Sequence, residues 1–127
     1  MRGTVLIAMT LLVSCPNLAV ADNSHSTDLI ERCRKSALVV GASTATKDFR
    51  VTDWQDAAFC SGYISGFVTG TYWSEGRRDY CIPDGVDTNQ LIAIYASWAD
   101  KHPETWHQPQ AVTLILALIT GFPCPSK

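Results

Sequence analysis

The sequence predicts an all-α domain, built as a small disulfide-linked bundle of about four helices. Along residues 28–119 the apolar residues recur at the spacing of one helical face rather than at every second position, which distinguishes amphipathic helices from strands. Cys33, Cys60, Cys81 and Cys124 follow an apolar leader, and an even number of cysteines in an exported chain indicates disulfide bonds. The length of 127 residues suits a single domain.

The first two helices are predicted on either side of a connection at residues 41–52. The first covers about residues 28–40, where Asp28 and Glu31 have the spacing of a capping box. The second begins after residue 53 and runs to about residue 73. The residues predicted to form its buried face are Trp54, Ala57, Cys60, Ile64, Phe67 and Thr71.

Two further helices are predicted in the second half of the chain. The third begins near Thr88 and ends before Pro103, because a proline ring cannot continue a helix. The fourth has Pro109 in its first turn and ends at Gly121. Residues 111–119 are apolar nearly all round the helix, which predicts that the fourth helix lies in the middle of the bundle.

Four cysteines allow three pairings, and the helical hairpins favour one of them. In an antiparallel hairpin, residues at equal distances from the connection lie side by side. Cys33 and Cys60 have this relationship about the first connection, and Cys81 and Cys124 come within a turn of it about the connection between the third and fourth helices. The expected disulfides are therefore Cys33–Cys60 and Cys81–Cys124, with a Cys60–Cys124 link as the main alternative.

Small residues recur at every fourth position of the second helix, at Ala58, Gly62, Gly66 and Gly70. A glycine inside a helix costs up to about 1 kcal/mol relative to alanine, so this ridge needs a compensating contact. The favoured interpretation is close packing against another helix of the same domain. The alternative is a face for self-association, which would make the protein a homodimer.

The first 21 residues have the features of a secretory signal peptide. Arg2 provides the positive start, residues 5–13 the apolar stretch, and Ala19-Val20-Ala21 the small residues before a cleavage site. Cleavage there leaves residues 22–127 as one periplasmic domain without a transmembrane span, since no second stretch reaches the roughly 20 apolar residues required. A lipobox ending at Cys15 is the alternative, in which a lipid anchor at Cys15 holds the domain at the membrane.

Charge and motif patterns argue against several classes of protein. The formal net charge is -2, and no basic patch has the density that nucleic acid binding requires. His102, Glu104 and His107 lie close in sequence, but Pro103 interrupts the helix that would align them as metal ligands. We find no pattern of an activated nucleophile or acid–base pair. The sequence therefore predicts neither an enzyme nor a metal or other cofactor.

Several short motifs, in order and at matching spacing, resemble the Rap/Tai family of immunity proteins. They are Cys60-Ser61-Gly62-Tyr63-Ile64-Ser65-Gly66, Cys81-Ile82-Pro83 with Gly85-Val86 and Gln90, His102-Pro103-Glu104 with His107, and Ala117-Leu118 before Phe122-Pro123-Cys124. The resemblance spans about residues 33–124. It implies a periplasmic protein that protects the cell against amidase effectors of type VI secretion systems. The implied partner is a peptidoglycan amidase.

Binding such a partner requires a rigid scaffold and protruding anchor side chains, and two segments qualify. Aromatic and arginine side chains dominate the energetics of protein interfaces. The residues predicted to contact the partner are Trp73, Arg77, Arg78 and Tyr80 after the second helix, and His102, Glu104 and Trp106 between the third and fourth. For the tryptophans, packing in the core is the competing interpretation. It is the favoured one for Trp54, Trp73, Trp98 and Trp106.

A second function fits the same composition. Small disulfide-linked helical proteins of the periplasm include acid-stress chaperones, which expose apolar surface when their carboxylates become protonated. Such a protein would prevent aggregation of other proteins at low pH without inhibiting an amidase. The two functions are therefore separable by experiment.

Overall fold

A computed structural model of the chain describes residues 25–41, 49–73 and 79–125. In chain order its elements are α1 (Ser26–Gly41), α2 (Val51–Trp73), α3 (Thr88–Lys101), a 3-10 turn (Pro103–Thr105) and α4 (Gln110–Gly121). The described residues form no strand, and their isolated bridges join His25 to Pro109 and Tyr80 to Pro123. The all-α prediction is confirmed. The predicted leader lies outside the described residues.

A capping box starts α3 rather than α1. Asp87 Oδ1 accepts a hydrogen bond from the Gln90 amide at 2.8 Å, and Gln90 Oε1 accepts one from the Asp87 amide at 3.0 Å. This reciprocal pair satisfies two backbone donors at the helix start. The capping box predicted at Asp28 and Glu31 is wrong, because α1 begins at Ser26 and Asp28 therefore lies inside its first turn.

The core lies where α1 packs against the other three helices. Each helix turns one apolar face inward, and burying each large side chain stabilises the fold by about 1.5 to 3 kcal/mol. The buried apolar residues are Leu29, Ile30 and Cys33 of α1, Ala57, Cys60 and Ile64 of α2, Leu91, Ile92, Tyr95, Ala96 and Ala99 of α3, Leu114, Ala117 and Leu118 of α4, and Tyr80.

The prediction that α4 lies in the middle of the bundle is wrong. α4 packs against α3 and α1, and its Val112 and Leu116 are exposed. Leu114 and Leu118, one turn apart, lie on its inner face and are fully buried. The other apolar side chains of α4 are therefore not needed in the core. The central position belongs to α1 instead, although α1 is a much more polar helix in sequence.

Two predictions about α2 are also wrong. Trp54, expected in the core, has 57% of its surface exposed. The ridge of Ala58, Gly62, Gly66 and Gly70 is exposed along its length, and a Cβ added at any of its glycines would meet no atom within 4 Å. The ridge therefore does not pack inside the domain. The predicted inner face does hold at Cys60 and Ile64, which are fully buried.

Two disulfides hold the helices together, in the pairing that the hairpins predict. Cys33 and Cys60 join the middle of α1 to the middle of α2, and both residues are fully buried. Cys81 and Cys124 join the segment before α3 to the segment after α4. The Cys81 amide also donates to the Phe122 carbonyl at 2.8 Å. The two ends of the α3–α4 hairpin are thus fixed to each other.

A half-buried carboxylate ties α1 to α2 near the buried disulfide. Lys35 Nζ lies 2.5 Å from Asp56 Oδ2, and Arg32 Nη1 lies 2.9 Å from Asp56 Oδ1. The hydrogen bond from Lys35 lowers the pKa of Asp56, and the charges of Lys35 and Arg32 lower it further against the opposing effect of burial.

We expect Asp56 to stabilise the fold at neutral pH and to lose this effect in acid. A carboxyl whose pKa falls on folding contributes stability above its unfolded pKa of about 4, and this contribution disappears as the pH falls through the lower folded value. Thermal unfolding of the wild type and of Asp56→Asn should therefore differ most near neutral pH. A difference in Tm that stays constant down to low pH would contradict this assignment.

Candidate partner-binding surface

The turn between α3 and α4 is a compact, hydrogen-bonded structure rather than an open loop. His102 ends α3, and its carbonyl accepts from the Thr105 amide at 3.0 Å and from Thr105 Oγ1 at 2.8 Å. The Trp106 amide donates to the Pro103 carbonyl at 3.3 Å. Pro103 forces the helix to end here because it has no amide hydrogen to continue the ladder.

The start of α1 holds this turn from the other side. Ser26 is buried, its Oγ donates to the Trp106 carbonyl at 2.7 Å, and its amide donates to the Gln108 carbonyl at 3.0 Å. His25 Nδ1 lies 3.3 Å from the His107 carbonyl. These contacts also explain why α1 begins at Ser26, because the amide and hydroxyl of this residue are both hydrogen-bonded to the turn.

Trp106 is fixed within the turn and only partly available to a partner. Its indole Nε1 donates to the Ala99 carbonyl at 2.8 Å, and the Arg34 guanidinium lies 5.2 Å from the ring centroid. Arg34 also forms an ion pair with Asp100. The ring is half-buried, so much of its surface serves the packing of α1 against α3.

His102 and Glu104 form an exposed pair at the surface of the turn. His102 Nδ1 donates to Glu104 Oε1 at 2.9 Å, and this hydrogen bond lowers the pKa of Glu104. The other side of the imidazole stacks on Trp98, with ring centroids 4.5 Å apart. The Glu104 side chain is 66% exposed. A carboxylate is therefore presented to solvent in a fixed position.

The second predicted segment is divided between surface and core. Trp73 at the end of α2 is 78% exposed, with its ring set edge-on to Tyr72 at 5.5 Å. Tyr80 is buried, and its hydroxyl is hydrogen-bonded to Thr71 Oγ1. Tyr80 thus holds the segment before α3 against α2, while the exposed ring of Trp73 is available for contact with a partner. Arg77 and Arg78 lie outside the described residues.

One side of α2 carries an aromatic ladder, in which Phe59 is exposed and Tyr63 and Phe67 are half-buried against the core. Phe59, Tyr63 and Phe67 stand four residues apart, and their rings stack with centroids 6.1 and 6.4 Å apart. The Arg32 guanidinium lies 4.6 Å above the ring of Phe59. Aromatic residues at every fourth position of a predicted helix would have been the signal for this ladder.

Metal-ligating clusters and free thiols are both absent from the described residues. No group of three or more His, Cys, Asp or Glu side chains among them could hold a metal ion. Cys33, Cys60, Cys81 and Cys124 are all in disulfides. Within the same part of the chain, no helix is long and apolar enough to cross a membrane.

Comparison with known families identifies the family of the chain. Residues 25–124 match the family described as Rap1a immunity proteins. Because the match covers most of the chain, the protein belongs to this family, and the resemblance seen in the motifs is confirmed. No curated protein and no solved structure matches the chain significantly.

Proposed function

We propose that the protein is a periplasmic immunity protein that binds and inhibits a peptidoglycan amidase effector of a type VI secretion system. The observation that carries this proposal is the family match over residues 25–124. The two disulfides support an oxidising compartment such as the periplasm. The signal-peptide pattern of residues 1–21 supports the same location, with lipidation at Cys15 as the less favoured alternative.

The turn at residues 102–106 supports inhibition by binding rather than by chemistry. Its backbone is held by α1 and by its own hydrogen bonds, so little conformational entropy remains to be lost on binding. Glu104 projects from it as a fixed anion, and Trp73 is a second exposed anchor. Anchors of this kind, placed over the substrate cleft of an amidase, would keep the peptidoglycan substrate out of that cleft.

The test is inhibition of a co-encoded amidase. The wild-type protein should form a stable complex with the enzyme and stop its hydrolysis of peptidoglycan. Glu104→Lys and Trp73→Ala should each weaken binding about tenfold or more, the range of interface anchors. Glu31→Lys makes the same charge change on the exposed face of α1 and should leave the affinity unchanged.

Failure of the wild type to bind or inhibit such an amidase would overturn the proposal. If the protein instead kept other proteins soluble at low pH, the acid-stress chaperone would replace it as the function. Retained binding by both Glu104→Lys and Trp73→Ala would leave the function intact and move the contact elsewhere on the domain.

We also propose that the protein forms a homodimer through the exposed face of α2. Between Ala57 and Trp73 this helix has no charged side chain, so a second copy meets no charge repulsion there. The glycines of the ridge have open space above them, and small residues let two helices approach closely. Phe59, Trp54 and Trp73 beside the ridge are exposed and would lose apolar surface to water on pairing.

Two substitutions at Gly66 separate helix stability from self-association. Gly66→Ala should stabilise the domain by about 0.5 to 1 kcal/mol, because alanine favours a helix and meets no neighbour. Gly66→Gln should leave the fold intact and shift the protein to a monomer, as measured by light scattering. The control Ala37→Gln on the exposed part of α1 should not change the mass. A monomeric wild type would contradict the dimer.

A further inference from the structure

A groove of about 380 Å³ runs between α3 and α4. Ala93, Ser97 and Lys101 line it from α3, and Ala117 and Thr120 line it from α4. The lining also includes Trp98, which packs against the core, and Ala117 is itself a core residue. His102 is among its lining residues, which places the groove beside the turn that carries Glu104.

The shape of the groove follows from small residues at fixed positions. Ala93 and Ala117 leave room between the helices because their side chains end at Cβ. Ile94 and Gly121 also line the groove, and the helices approach closely there, since a Cβ built on Gly121 would lie only 2.8 Å from Ile94 Cγ2. The α3–α4 hairpin is closed at its base by the Cys81–Cys124 disulfide. The groove is therefore a preformed part of the fold.

The charge at the groove is positive and uncompensated. Lys101 forms no ion pair within the described residues. The carboxylates nearest to it in sequence are already engaged, Asp100 with Arg34 and Glu104 with His102. An ammonium group therefore stands beside an apolar groove with no ion-pair partner among the described residues, and a carboxylate is the group that complements it.

We propose that this groove receives an aromatic side chain of the effector, and that a carboxylate next to that side chain in the effector pairs with Lys101. The inference rests on the proposed function and names the chemistry of the contact. The volume suits one large aromatic side chain, whose burial would supply apolar contact area. Ser97 and Thr120 add hydroxyl groups at the walls, and the fixed turn beside the groove extends the same contact surface.

The first test measures the affinity for a co-encoded amidase. Ala93→Phe fills the groove and Lys101→Glu reverses its charge, and each should weaken the complex about tenfold or more. Both residues are exposed, so the fold should tolerate either change. Ala37→Phe on α1 and Arg50→Glu before α2 are the matched controls and should bind like the wild type. Wild-type affinity in both groove variants would overturn the inference while leaving the proposed function in place.

The second test does not need the effector. Indole-3-propionate, which joins an aromatic ring to a carboxylate, should shift the backbone NMR signals of Ala93, Ser97, Lys101 and Thr120 when titrated into the wild-type protein. Tryptamine, with an amine in place of the carboxylate, should not, and Lys101→Glu should abolish the response to the acid. Equal responses to both compounds, or shifts away from the groove, would overturn the inference even if no amidase binds.

Discussion

The double variant Cys33→Ala/Cys60→Ala should unfold with a free energy about 3 to 4 kcal/mol below that of the wild type. The bond spans 27 residues, and a loop of that length removes this much chain entropy from the unfolded state. Both sulfur atoms also lie in the core, where alanine leaves unfilled space. Urea unfolding in the absence of reductant measures the difference. A loss below about 1 kcal/mol would contradict a structural role for this disulfide.

The second disulfide provides the matched comparison. Cys81–Cys124 spans 43 residues, so its entropic effect is similar, but Cys81 is exposed whereas Cys33 and Cys60 are buried. Mild reductant should therefore open Cys81–Cys124 first, because a thiolate must reach the sulfur that it attacks. Alkylation followed by mass spectrometry reports the order. Simultaneous opening would mean that loss of one bond unfolds the whole domain.

Tyr95→Ala should destabilise the domain by about 3 to 5 kcal/mol, the range for deleting a large buried ring. Tyr95 is fully buried, and its hydroxyl joins α3 to α4. Thr113 Oγ1 donates its own hydrogen to the Gln110 carbonyl at 3.0 Å, so it accepts from the Tyr95 hydroxyl at 3.1 Å. Tyr95→Phe removes that single bond and should cost only about 1 kcal/mol.

Alkaline pH gives an independent test of this buried hydroxyl. Burial raises the pKa of Tyr95 to about 12, from an ordinary value of 10.0. The folded protein therefore keeps the phenol proton where the unfolded chain loses it, and stability should fall as the pH rises above 10. Tyr95→Phe should lack this part of the decline. If both proteins lost stability equally above that pH, Tyr95 would not be its source.

The helices and their cysteine pairs could be predicted because both depend on local spacing. The sequence marks the ends of α3 and α4 with Pro103 and Gly121, and the hairpin relationship depends only on counting residues from a connection. The orientation of α2 was harder, since apolar or small residues occur on nearly every side of it. Cys60 lies inside the fold, and the glycine ridge lies on the opposite side of a helix that turns about 100° per residue.

Positions of whole helices could not be read from composition. The apolar sequence of α4 suggested a central helix, but a short helix on the outside of a small domain also carries exposed apolar residues such as Leu116. The structure of the turn at residues 102–106 was only partly foreseen. Its interface-prone residue types could be read from the sequence. The hydrogen bonds that hold Trp106, from its indole to Ala99 and from Ser26 of α1 to its carbonyl, could not, because they depend on how the chain folds.

The order of the four cysteines has a consequence for how the domain matures. Each disulfide joins neighbours along the chain, Cys33 to Cys60 and then Cys81 to Cys124. A polypeptide that enters an oxidising compartment N-terminus first therefore presents the correct pair at each stage, and oxidation in order of emergence gives the native bonds. We expect maturation to be independent of a disulfide isomerase. Equal yields of native protein from export strains with and without that enzyme would bear this out.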